Sequence, residues 1–266
     1  MSAVDQLFTD LRASGRKALM PFFTSGDPNI GTTASVIRAA QSAGANLCEV
    51  GVPYSDPIAD GPVIQASYQR ALESGFRLQQ VFDMGTDLQR DVTMPLVTMV
   101  SYAIIFRVGI EKYVQQAKAA GYAGAIVPDL LVEEAAEMSK VCREADFSLI
   151  QLVTPTTPRA RQVQIAESSS GFLYYVSVTG ITGERMKLPT DLVDNVGWLR
   201  EQTDLPICIG FGISGPETAA KLAPVADGLI VGSAVVRRVA DAKDEAESVA
   251  AVKQFVGDLR TAIDTA

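Results

Sequence analysis

Eight short apolar runs, helical stretches between them and a length of 266 residues together predict an α/β fold. The form expected is a single-domain (β/α)8 TIM barrel over residues 1–266, with extra N-terminal and loop helices. The runs are Ala18 to Thr24, Asn46 to Val52, Leu96 to Tyr102, Gly124 to Pro128, Phe147 to Val153, Phe172 to Ser177, Ile207 to Phe211 and Gly228 to Gly232. Each is apolar almost without interruption, as expected of parallel strands covered on both faces. Eight strand–helix units in about 250 residues suit a closed barrel better than an open doubly wound sheet, which more often carries five or six strands.

The helical stretches follow the strands in order. Thr32 to Ser42, Ile110 to Ala120, Val132 to Arg143, Arg159 to Ser168, Leu192 to Gln202 and Pro216 to Leu222 all carry apolar residues at helical spacing. The N-terminus, MSAVDQLFTDLRASGRK, is amphipathic and lacks an apolar core of the signal-peptide kind. Nowhere do roughly 18 apolar residues follow one another, so the expectation is a soluble, cytoplasmic protein. The Pro- and Gly-rich pieces GVPYSDPIADGP, VTPTTP and TGITGERMKLP fall directly after strands. They are loops, and in a barrel such loops line the mouth where catalytic groups gather.

Composition narrows the chemistry. The chain has no histidine, which removes Ser-His-Asp and Cys-His sites, imidazole-ligated metals and imidazole proton shuttles. Acid–base work falls to carboxylates, Tyr or Lys. Cys48, Cys142 and Cys208 are far apart and flanked by apolar residues, which fits small core residues. With 23 basic against 31 acidic residues, the net charge of −8 argues against a broad grip on nucleic acid or anionic membranes. Any anion must be held locally.

Glu49 is a charged residue inside the apolar run NLCEVGVP. A structural acid paired with a neighbouring Lys or Arg is one reading. The other is a catalytic carboxyl whose apolar setting raises its pKa, so that it exchanges protons near neutrality. Asp56 and Asp60 follow in VPYSDPIADGP, a loop stiffened by three prolines and a glycine. Asp60, ahead of Gly61 and Pro62, is either a turn former or a second carboxyl at the same mouth. GFGISGPE and GLIVGSAVV put glycines after the last two strands, where helix N-termini bring backbone N–H groups against a phosphate. Phe22, Val100, Tyr102 and Tyr175, taken as in phase with the strands, are candidates for a flat apolar pocket. VTGITGERMKLP has the composition of a lid, or of a plain surface loop.

These motifs together make the chain similar to the tryptophan synthase α-subunit family, from Gly26 to about Arg237. PFFTSGDPN, CEVGVPYSDPIADGPVIQAS, VTGITGER, GFGISGPE and IVGSAVV carry the resemblance, and SDPIADGP is the most diagnostic of them. The resemblance implies retro-aldol cleavage of indole-3-glycerol phosphate to indole and glyceraldehyde 3-phosphate. It implies Glu49 as the acid–base group and Asp60 as the partner of the indole N–H. Phe22, Val100, Tyr102 and Tyr175 would neighbour the indole, and Thr182 would meet Asp60 when the lid closes. Gly183, Phe211, Gly212, Gly232 and Ser233 would hold the phosphate through backbone groups. It also implies no cofactor or metal in this chain, and a β subunit that carries pyridoxal phosphate and receives indole through a tunnel in an α2β2 complex. Asp56 and Pro57 match the loop that signals between subunits. One departure stands out: after Tyr102 the family usually has a motif with Asn and Pro, where this chain has Ala103, Ile104 and Ile105. That bears on coupling to the β subunit, and leaves a free-standing lyase as the alternative.

Overall fold

The computed structural model describes residues 1–57, 60–177, 190–210 and 212–266. Its strands are β1 (Ala18–Thr24), β2 (Cys48–Gly51), β3 (Leu96–Met99), β4 (Tyr122–Ile126), β5 (Ser148–Ile150), β6 (Leu152–Val153), β7 (Leu173–Val176), β8 (Ile207–Gly210) and β9 (Gly228–Val231). All pairings are parallel, in the order β5-β4-β3-β2-β1-β9-β8-β7-β6. The two ends of that order, β5 and β6, are consecutive pieces of one run broken only at Gln151. The first piece pairs with β4 and the second with β7. The expected fifth strand is therefore shared between two neighbours, and it closes eight runs into the (β/α)8 barrel.

Alternation along each strand sends residues to opposite faces, and here both faces are dry. Ala18, Met20, Leu47, Val97, Ile126, Ile150, Phe172, Cys208 and Ile230 fill the interior. Leu19, Val50, Leu96, Ala125, Leu149, Leu173, Ile209 and Leu229 lie in the outer layer with the surrounding helices. The amphipathic N-terminal stretch is helix α1 (Ala3–Ala13), capped by Ser2. Its apolar face, Val4, Phe8 and Leu11, joins the interior cluster, with Phe8 5.7 Å from Phe172. Because Ala18, Leu47 and Phe172 mark strand beginnings, α1 plugs the amino-terminal end of the barrel. The opposite end is left for the loops.

The expected helices appear as α2 (Ile30–Ser42), α6 (Ile110–Ala119), a 3-10 turn over Val132–Glu134 leading into α7 (Ala135–Glu144), α8 (Arg159–Ser168), α9 (Thr190–Arg200) and α10 (Pro216–Leu222). The loop helices are α3 (Pro62–Glu73), α4 (Leu78–Leu88), α5 (Tyr102–Val108) and α11 (Ser233–Asp241), and α12 (Glu245–Asp264) ends the chain against α2. β3 stops three residues earlier than expected because Ser101 caps α5, and Asp129 takes hydrogen bonds from the Ser101 hydroxyl and the Tyr102 N–H, both at 2.7 Å. The three cysteines are buried and free. Among the described residues no helix is long and apolar enough to cross a membrane, and no group of His, Cys, Asp or Glu could hold a metal ion.

Candidate active site

Glu49 lies on β2 between Phe22 of β1 and Val97 of β3 in the strand register. Its neighbours Cys48 and Val50 belong to the outer layer and Leu47 to the interior, so its carboxyl points into the barrel. It is 1% exposed. Neither oxygen has a hydrogen-bond partner among the described residues, and no described Lys or Arg pairs with it. The structural-acid reading loses its partner. Burial alone pushes the Glu49 carboxyl well above its ordinary range.

Asp60 enters from the loop after β2. Its N–H donates to the Pro57 carbonyl at 3.1 Å, and the Gln65 amide of α3 donates to the Pro57 and Asp60 carbonyls at 3.1 and 2.8 Å. The loop is thus tied to the helix it precedes. Burial raises the Asp60 carboxyl to about 6, with the Tyr54 hydroxyl opposing the rise. Tyr68 of α3 is 1% exposed, with its ring 5.6 Å from that of Tyr54. The negative charges of Asp60 and Glu49 both push the Tyr68 phenol further up, so it lies within their joint field. α3 is fixed at two points: Ser67 and Thr24 hydroxyls meet at 2.6 Å, and Arg70 grips the buried Asp27 carboxylate at 2.9 and 2.6 Å.

The pocket walls follow the strand faces. Phe22 packs with Ile64, Tyr68 and Val236, and Tyr54, Val63 and Met99 lie against them. A side chain at Gly51 would collide with the Phe22 ring and fall 2.9 Å from the Tyr68 hydroxyl, so only glycine fits beside them. Two expectations need correcting. Val100 is buried in the outer layer, whereas Met99 faces the interior and the Phe22 group. Tyr175 is likewise in the outer layer, in register with Val153 and Ile209, while Tyr174 faces inward. Both slips are of one residue, and on a strand one residue exchanges the two faces. Tyr174 feels the charges of Glu49 and Asp60 and crowds Gly210, where a side chain would come within 2.5 Å of its ring. Counting in twos from Phe172, which closes against α1, would have selected Tyr174. Tyr54 and Tyr68 lacked any such signal, because each depends on how the loop and α3 fold back over the mouth. Tyr102 begins α5, half-buried, its ring 6.2 Å from Phe106.

Gly212, after β8, has φ of +80°, a conformation that favours glycine. Gly232 precedes α11, and Ser233 is its first residue. A side chain at Gly232 would approach Ile64 at 3.5 Å and Phe22 at 3.9 Å, so the start of α11 adjoins the apolar wall. Thr182, Gly183, Phe211 and the lid segment 178–189 lie outside the described residues. The site thus joins a buried and a half-buried carboxyl, an apolar slot and a glycine-rich helix start at one mouth. Such a site can exchange protons with an aromatic ligand whose anionic end rests on backbone N–H groups.

The family described as "Tryptophan synthase alpha chain" matches residues 8–264. The chain belongs to this family. It is 69% identical to the tryptophan synthase alpha chain of Rhodopirellula baltica, with 100% of both chains covered. It is 44% identical to that of Caldanaerobacter subterraneus subsp. tengcongensis, over 98% of this chain and 99% of the other. The crystal structure of tryptophan synthase subunit alpha from Legionella pneumophila str. Paris superposes with a TM-score of 0.92 at 35% identity, covering 100% of each chain. As a tryptophan synthase alpha chain, the protein is a lyase of tryptophan biosynthesis. It cleaves indole-3-glycerol phosphate to indole and glyceraldehyde 3-phosphate and passes indole to a β subunit.

Proposed function

We propose that the cleavage runs on Glu49 and Asp60, with the substrate's indole against Phe22, Met99 and Tyr174 and its phosphate at Gly212, Gly232 and Ser233. The carrying observation is the unpartnered, buried carboxyl of Glu49 beside a second raised carboxyl, Asp60. A carboxyl kept neutral by its surroundings can donate a proton at neutral pH. Glu49 first gives its proton to indole C3, and the ring becomes a cation whose N–H faces the Asp60 carboxylate. Glu49, now ionised, takes the proton of the hydroxyl on the adjoining carbon. That carbon becomes the aldehyde, and the electron pair of the broken bond returns to the ring, which leaves as neutral indole. The proton count closes on Glu49 alone, and Asp60 offsets charge. Thr182, Gly183, Phe211 and Tyr102 complete the site in this reading.

The partner reading rests on the outer surface of the mouth. Asp56 and Pro57 line a groove with Tyr54, Gln65, Gln69 and Leu72. A second groove shares Leu72 and runs along Pro53, Ile104, Arg107 and Val108. The departed segment after Tyr102 thus begins helix α5, which buries Ile105, lines this second groove with Ile104 and leaves Phe106 73% exposed. A β subunit seated there would touch the loop that bears Asp60. In this reading the β subunit holds pyridoxal phosphate, this chain needs no cofactor, and the α2β2 complex works in the cytoplasm. Indole release from indole-3-glycerol phosphate by the purified chain tests it: slow turnover alone and strong acceleration with added β subunit are expected. High turnover unchanged by the β subunit would favour the free-standing lyase.

A further inference from the structure

Resting on that reading of Glu49 and Asp60, we infer that the Tyr68 hydroxyl is a substrate contact, donating a hydrogen bond to the glycerol portion of indole-3-glycerol phosphate. The ring of Tyr68 has an evident structural purpose, since it packs with Phe22, Ile64 and Val236. The hydroxyl has none. It is buried and finds no hydrogen-bond partner among the described residues, although a buried phenol normally does. It lies 2.9 Å from where a side chain at Gly51 would stand, and Gly51 is two residues beyond Glu49 on the same face of β2. The hydroxyl therefore sits one step above the Glu49 carboxyl, toward the mouth.

Four buried oxygens without partners among the described residues meet in this space: both of Glu49, one of Asp60 and that of Tyr68. Unpartnered polar groups gathered in one enclosed place cost stability unless a ligand completes them. The indole ring offers one N–H, which Asp60 takes, and the phosphate goes to the start of α11, where Gly232 adjoins Ile64 and Phe22. The hydroxyls of the glycerol chain remain, and one of them is on the carbon whose bond Glu49 breaks. Tyr68 is held rigidly enough to meet them, because Ser67 and Arg70, close to it on α3, are pinned to Thr24 and Asp27.

Tyr68→Phe keeps the ring and removes only the hydroxyl. With the β subunit present, kcat/KM for cleavage falls about tenfold, the worth of one hydrogen bond. An analogue carrying a plain propyl chain between indole and phosphate, with no glycerol hydroxyls, binds within twofold of wild type. The thermal midpoint stays level or rises, since an unpartnered buried hydroxyl is gone. Unchanged kcat/KM would overturn the inference, as would analogue binding weakened in the same ratio, which would mean a structural role. Glu49→Gln, assayed alongside, separates the two levels. If that variant is inactive while Tyr68→Phe cleaves normally, the Tyr68 contact alone fails; if it still turns over, the underlying reading fails too.

Discussion

Asp60→Asn should make the protein more stable and less active, and the stability gain should depend on pH. The folded protein holds the Asp60 proton with a pKa of about 6, against 3.8 for the ordinary carboxyl. A raised folded pKa means that the carboxyl's full contribution is present below about pH 4 and is lost as pH rises through about 6. The gap, at roughly 1.4 kcal/mol per pH unit, amounts to about 3 kcal/mol, or nearer 2 after allowing for the part of the side chain that solvent reaches. Asparagine has the same shape and cannot ionise, so it avoids the loss. Thermal unfolding of both proteins from pH 4 to pH 7.5 should show the variant's advantage opening by roughly 4–8 °C. Indole formation at pH 7.5 should fall about 100-fold to 1,000-fold, the usual effect of deleting one group that stabilises developing charge. A variant that gains nothing in thermal midpoint with rising pH would refute the burial argument for Asp60.

Tyr174→Phe should lower kcat/KM for cleavage, and Tyr175→Phe should leave it at the wild-type value; the reverse order would mean that the strand faces are misassigned. Gly51→Ala forces the Phe22 ring and the Tyr68 hydroxyl aside, with a stability cost of about 1–3 kcal/mol and, for a displacement near 1 Å, on the order of 100-fold in turnover. Gly257→Ala in α12, where nothing lies within 4 Å, should instead raise the thermal midpoint, by about 1 kcal/mol of helix preference.

The barrel was legible because both faces of its strands are dry, which leaves continuous apolar runs that no surface strand would show. β1, α8 and α10 have the expected bounds, since Pro158 and Gly215 stop the chain sharply ahead of the two helices. Local rules failed where distant residues decide. Asp129 holds Ser101, the cap of α5, across 28 positions of sequence, and β3 ends early. Glu49 stood out as a charge in an apolar strand and Asp60 as an acid in a rigid loop. Val100 and Tyr175 were misplaced by one residue because runs apolar on both faces carry no alternation from which to count. Tyr68 sits on a helix the periodicity did not mark, and its meaning comes only from the Gly51 and Glu49 it overlies.

The proton path stands or falls on indole formation from indole-3-glycerol phosphate by Glu49→Gln against wild type, both with the β subunit, alongside phosphate-ligand binding by each. Glutamine fills the same space and cannot give or take the proton. Turnover should vanish while phosphate binding stays near wild type, because the glycines at 212 and 232 do not depend on Glu49. Near-normal turnover in the variant would contradict the proton path at its origin.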